Sequence, residues 1–306
     1  MTDPHPSPSS NPQKTALVTG ATNGIGKVTA LELARQGYRV LLTSRDTAKG
    51  QQVLDEIRVQ TGNDALEVYV GDLSSMADVR RIALEVLAEH PTLDVLVNNA
   101  GGLIDERRET VDGFEYTFAF NHLAYFLLTN LLLPGLKAAA QERGEARVVS
   151  VSSTANNNGR MRWDDLQYKS GYSIWPAYGQ SKLMNVLFSN ALARRLAGTG
   201  VTSNSLHPGL IASSFGSTAT GLSKILLTVL KPFMLTVQQG AQNSLYVATS
   251  PQIKGISGQY FVKQKLGKPN ALAADEGAQE RLWKLSEELV EAWSSPVAAD
   301  HVAPLV

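Results

Sequence analysis

The chain has 306 residues, 43% of them hydrophobic and 18% charged, and its 28 basic and 28 acidic side chains cancel. That balance offers no electrostatic grip on nucleic acid or on an anionic membrane, and it fits a soluble globular protein with a substantial core. There is no cysteine and the five histidines are scattered, so disulfides and thiolate chemistry are excluded and no metal-ligand pattern is present.

The opening "MTDPHPSPSSNPQ" is rich in Pro and Ser and reads as a flexible tail over residues 1–13; it lacks the basic start and apolar run of a secretory signal. Short apolar runs then alternate with longer amphipathic ones. Strands are predicted at 15–20, 39–45, 65–73, 93–101, 146–153, 201–209 and 258–262. Helices are predicted at 26–37, 47–62, 76–90, 112–139, 177–197 and 237–248. Continuous apolar strands joined by helices imply a mostly parallel sheet covered on both faces, hence an α/β, doubly wound (Rossmann) sheet of about seven strands. No linker divides the chain, so one domain is expected over residues 14–293, followed by a second tail at 294–306. The stretch 221–237 is apolar but interrupted by Lys224, Lys231 and Pro232, too broken for a membrane span. These features predict a cytoplasmic protein with no integral membrane segment; its oligomeric state is left open, a homo-oligomer included.

"VTGATNGIG" (18–26) joins the first strand to the first helix. Gly20, Gly24 and Gly26 there permit a tight turn, close approach of backbone to a pyrophosphate and close packing of helix on strand, while the helix N-terminus offers free N–H groups to phosphate. At the end of the second strand, "TSR" places Ser44 and Arg45 where an acid would bind the ribose hydroxyls of NAD. No carboxylate repels a 2′-phosphate, and a guanidinium can pair with one, so NADP(H) is preferred over NAD(H). The competing reading makes Arg45 a solvated charge partly neutralised by Asp46.

"AYGQSK" (177–182) sets Tyr178 and Lys182 one helical turn apart on one face. A tyrosine titrates near 10, too high for acid–base work at neutral pH, and a neighbouring ammonium lowers that value. Tyr168 and Tyr172 lack a lysine four residues on.

The spacing TGxxxGIG, followed in order by "NNAG" (98–101), Asn121, "VSS" (151–153), "YGQSK" (178–182) and "HPG" (207–209), resembles the short-chain dehydrogenase/reductase superfamily over residues 14–290. The 24 residues between Ser153 and Tyr178, "SKLMNVLFSNALARRL" and "RLWKLSEELV" look like its retinol-dehydrogenase-like branch. The resemblance implies an oxidoreductase that interconverts an alcohol and an aldehyde or ketone, with Asn121, Ser153, Tyr178 and Lys182 as the catalytic set. Tyr178 would be the general acid/base, Ser153 would hold the substrate oxygen, and Lys182 would also bind the nicotinamide ribose. Asn121 would hold a water in a relay ending at Lys182, and Asp72 would bind the adenine amine. Further cofactor contacts are implied for Asn23, Ile25, Leu73, Asn99, Ala100, Gly101, Pro208, Gly209 and Ile211. Ser152 remains an alternative to Ser153, as do Asn130 and His122 to Asn121. Residues 212–236, with Phe215, Leu222, Ile225, Leu226, Leu230, Phe233 and Met234, would cover an apolar substrate or simply pack on the sheet. A small-molecule carbonyl or alcohol is thus the expected partner; a catalytically silent NADP-binding sensor of the same fold is the alternative.

Overall fold

The computed structural model describes residues 13–209 and 235–294. In chain order these form β1 (Thr15–Val18), α1 (Gly24–Arg35), β2 (Arg39–Ser44), α2 (Thr47–Thr61), β3 (Leu66–Val70), α3 (Met76–Glu89) and β4 (Val95–Asn98). There follow α4 (Tyr116–Arg143), β5 (Ala146–Val151), α5 (Ile174–Arg195), β6 (Val201–His207), α6 (Val237–Thr249), β7 (Tyr260–Val262), β8 (Lys265–Leu266) and α7 (Glu276–Ser294).

One sheet runs in the order β3-β2-β1-β4-β5-β6-β7-β8, parallel as far as β7. The strand order reverses between β1 and β4, so both chains leaving those strands diverge and open a crevice beyond their C-terminal ends. Alternate residues of each strand feed two separate cores. Leu17, Leu41, Leu96 and Val148 pack with α3, α4, α5 and α7, whereas Ala16, Val18, Val40, Leu42, Val97 and Val149 pack with α1, α2 and α6. A period of two with both faces buried is why these strands read as unbroken apolar runs.

The strand count is eight rather than seven. β8 is a two-residue antiparallel addition to β7, reached through Lys263 and Gln264, both at positive φ (51° and 60°). Such a turn usually announces itself with Asn-Gly or Asp-Gly; here neither residue signals it. Helix α7 also lacked a sequence-level assignment beyond its resemblance, although Leu282, Trp283, Ser286 and Val290 lie on one buried stripe. Several strands stop short of their predicted ends, β4 at Asn98 and β5 at Val151, because the residues beyond leave the ladder to line the crevice.

Helix α4 is long and apolar enough to cross a membrane, yet its apolar residues are buried in the core beside α3. Its second turn, Ala119–Leu123, is π-helical and contains Asn121. A π turn inserts one residue into the helical repeat and re-aims its side chains.

Candidate active site

The crevice is a cavity of about 1530 Å³ lined from the end of β1 to the end of β6. Its floor is the glycine turn. Gly20, at φ +63°, is so close to the β4 exit that a Cβ on it would stand 2.8 Å from the Ala100 Cα. A Cβ on Gly26 would stand 2.5 Å from both the Gly20 carbonyl oxygen and Asn99 Nδ2. Gly24 differs: it sits at φ +54° with nothing within 4 Å of the Cβ position, which opens into the cavity. Asn23 precedes α1 in an extended conformation and its side chain caps no N–H, so the helix's first donors are left for a ligand. A pyrophosphate-bearing dinucleotide fits this cradle: two glycines close the turn and the third leaves room.

Two threonines lock the cradle to the sheet. Thr19 Oγ1 accepts from the backbone N–H of both Asn99 and Ala100 (2.9 Å each), and Thr43 Oγ1 accepts from Gly20 N–H (3.1 Å). Neither was legible as a site residue, since a threonine ending a strand carries no distinctive signal. Asn99, Ala100, Gly101, Pro208 and Gly209 line the cavity, as do Asn23, Ile25 and Leu73. Asp72 lies beside its wall: the carboxylate accepts from Ser74 N–H (2.9 Å), and the cap of α3 is Ser75. Ile211 and residues 212–234 lie outside the described residues.

Arg45 is exposed at the cavity edge, with Nη1 3.5 Å from the Tyr116 hydroxyl. Asp46 does not neutralise it. That carboxylate caps α2, accepting from Lys49 N–H at 2.8 Å, and forms no ion pair with Arg45 among the described residues.

At the other end of the cavity stand Ser153, Tyr178 and Lys182. Tyr178 is 5% exposed, Ser153 hydrogen-bonds its hydroxyl, and burial pushes the phenol well above its ordinary value. Lys182 is 3% exposed; Nζ donates to the Val151 carbonyl (3.1 Å) and lies 5.6 Å from the Tyr178 ring centre. Burial without a carboxylate lowers its ammonium from 10.5 to about 7. In the cofactor-free protein desolvation therefore outweighs the lysine's pull on the tyrosine, and Tyr178 is a neutral phenol with its proton in place.

The open alternatives resolve in space. Ser152 Oγ donates to the Lys182 carbonyl at 2.6 Å, a bond that joins β5 to α5, while Ser153 holds the Tyr178 hydroxyl. Asn130 donates to Phe126 within its own helix, and His122 faces α7, bonded to Ser286 Oγ at 2.9 Å, its pKa lowered to about 3 by burial. Asn121 alone of the three reaches the site from behind. Nδ2 donates to the Gly102 carbonyl and to Ser181 Oγ (3.0 Å each), and Oδ1 accepts from Gly102 N–H at 2.9 Å. Both amide protons are thus engaged in fixing the β4 exit and the turn beside Lys182. Tyr172 donates to the Ile104 carbonyl and Tyr168 lies under Arg162, so neither competes with Tyr178. Sequence reading missed Leu103, Ile104, Phe120 and Trp175, which line the same end: the first two lie on the irregular exit of β4, where no period betrays them, and the other two lie in the π turn of α4 and the first turn of α5, where helical periodicity does not say which face meets a cavity.

A family model described as short chain dehydrogenase matches residues 14–220. Retinol dehydrogenase 12 of Mus musculus is 43% identical over 279 residues, 91% of this chain and 87% of that one. Retinol dehydrogenase 14 of Homo sapiens is 41% identical, over 90% and 86% of the two chains. Among solved structures, an uncharacterized protein from Mycobacterium paratuberculosis superposes with a TM-score of 0.71 at 36% identity, covering 91% of this chain and 94% of that one. A Pseudomonas aeruginosa RhlG/NADP complex gives 0.65 at 26%, over 81% and 93%. A glycine cradle at the β1–β4 switch point, a serine–tyrosine–lysine cluster beyond it, the family model and the similarity to retinol dehydrogenases over nine-tenths of the sequence lead to one conclusion: the chain belongs to the short-chain dehydrogenase/reductase family, in its retinol-dehydrogenase-like branch.

Proposed function

We propose that this oxidoreductase interconverts an aldehyde or ketone and the corresponding alcohol with NADP(H), and that Tyr178 carries the proton. The observation that bears most weight is the neutral, buried Tyr178 hydroxyl held by Ser153 beside Lys182, at the end of a cavity whose opposite end is a phosphate cradle. When bound, the nicotinamide supplies or accepts the hydride. The chain's own groups do the rest. Glycines 20, 24 and 26 with the α1 N-terminus hold the phosphates, and Arg45 pairs with the 2′-phosphate. The Ser153 hydroxyl and the Tyr178 phenol both donate to the carbonyl oxygen, polarising it. Tyr178 gives up its proton as the carbon is reduced, and the phenolate that remains is stabilised by the Lys182 ammonium. In oxidation the same proton returns to Tyr178. Leu103, Ile104, Phe120 and Trp175 present apolar surface to the substrate and exclude water.

Tyr178→Phe tests this directly. Turnover of a panel of aldehydes and ketones, followed by NADPH absorbance, should be lost while NADPH affinity changes little. Turnover equal to that of the unaltered protein would refute the assignment. A cofactor that binds with no turnover of any carbonyl or alcohol in the unaltered protein would favour the silent sensor instead.

A further inference from the structure

Among the described residues the cavity is lined by Arg45, Arg108, Arg160, Arg162, Lys182 and His207 and by no aspartate or glutamate. Most of these groups have an occupation. Arg162 pairs with Asp165 at 3.0 Å, Arg108 lies over the Tyr116 ring, and Arg45 and Lys182 face the cofactor under the reading above. Arg160 has neither a carboxylate nor a hydrogen-bond partner among the described residues.

Its position is defined by its neighbours. Gly159 packs backbone to backbone on α5, so closely that a Cβ there would stand 2.5 Å from the carbonyl oxygen of Gly179. Arg162 N–H donates to Gln180 Oε1 at 2.8 Å. Arg160, exposed and lining the cavity, therefore directly follows a glycine packed on the residue after Tyr178.

A second, independent feature points the same way. Between Asp165 and Asp275 the sequence contains ten lysines and arginines and no aspartate or glutamate, in a protein whose total charge is zero. This stretch supplies α5, β6, α6, β7 and β8, the half of the sheet beside Tyr178. Among the described residues of this stretch, only Arg194 and Arg195 are answered from outside it, by Glu276 and Glu280 of α7. Burial and, after it, the charge of Lys263 on the β7–β8 turn oppose protonation of His207 at the cavity mouth. A cleft lined by one sign of charge concentrates ligands of the other. A purely apolar substrate would draw nothing from this field.

We propose that the substrate is a carbonyl compound, or its alcohol, bearing an anionic group, a carboxylate or a phosphate, that Arg160 pairs with while the reacting carbon lies at Tyr178. The proposal rests on the carbonyl-reducing reading above and adds the substrate's charge to it.

The test compares kcat/KM for 4-formylbenzoate, 4-formylphenyl phosphate and the neutral methyl 4-formylbenzoate with NADPH. A hydrogen bond between charged partners contributes about 1.5–3 kcal/mol, so at least one anion should be preferred over the ester by about tenfold or more at low salt. Which anion leads identifies carboxylate or phosphate as the group recognised. Arg160→Ala should bring the anion-to-ester ratio toward one, Arg160→Lys should restore part of it, and 0.5 M salt should shrink it in the unaltered protein. An anion-to-ester ratio near one in the unaltered protein, or a ratio untouched by Arg160→Ala, overturns the proposal and leaves carbonyl reduction standing. Failure to reduce any of the three compounds overturns the proposal and counts against the underlying activity.

Discussion

Lys182 is an ammonium-bearing side chain with no carboxylate to meet it among the described residues, and its cost should be readable as a pH dependence of stability. The folded-state value is about 7 against an ordinary 10.5. Between those two values the unfolded chain holds a proton that the folded protein has released, so stability rises with pH across that window. Below pH 7 the burial cost is present in full; above 10.5 it is gone. Integrated from pH 7 to pH 9, the gain is about 2 kcal/mol. Lys182→Met keeps the length and apolar stem of the side chain but cannot titrate. Urea unfolding of both cofactor-free proteins at pH 7, 8 and 9 isolates the lysine, because every other titrating group cancels in the difference. The unaltered protein should gain about 2 kcal/mol relative to Lys182→Met over that range. Parallel pH profiles for the two proteins would show that Lys182 keeps its proton when buried, and would refute the desolvation argument.

Other substitutions probe separate parts of the site. Arg45→Asp puts a carboxylate where the proposed function seats a 2′-phosphate, and should lower NADPH affinity relative to NADH by about tenfold or more; an unchanged ratio refutes the phosphate role. Asn121→Ala strips the half-buried Gly102 N–H and carbonyl of their partners, and thermal or urea unfolding should report a loss of about 1–3 kcal/mol. A loss below about 1 kcal/mol would mean that the β4 exit does not depend on that amide. Gly26→Ala drives a Cβ to 2.5 Å from the Gly20 carbonyl and should cost about 1–3 kcal/mol of stability by overpacking. Gly24→Ala meets open space but sets a Cβ at φ +54°, a strain of about 1 kcal/mol, so it should cost less stability than Gly26→Ala and more of the cofactor binding measured by NADPH fluorescence; the opposite ranking would contradict the cradle.

The order of strands and helices, the parallel sheet buried on both faces and the phosphate turn after the first strand were all legible in the sequence, because each rests on local periodicity or on glycine placement. So was the pairing of Tyr178 with Lys182, which one helical turn guarantees. What the sequence could not decide was what those groups experience. Lowering of the tyrosine by its lysine was the sequence-level expectation, but burial of both residues dominates in the folded protein, and desolvation is a property of everything packed around a group. Ser152 and Ser153 are neighbours of one type in the chain, and only the sheet sends one to the Lys182 carbonyl and the other to the Tyr178 hydroxyl. Asn121 was visible, but its grip on Gly102 and Ser181 depends on a π turn that no local propensity announces. Thr19, Thr43 and Arg160 acquire meaning only once the ends of β1, β2, β4 and β5 and the start of α5 meet at one crevice. Sequence determined which chemistry the chain can assemble; tertiary contact decided which side chains are dry, paired or left with charge to spare.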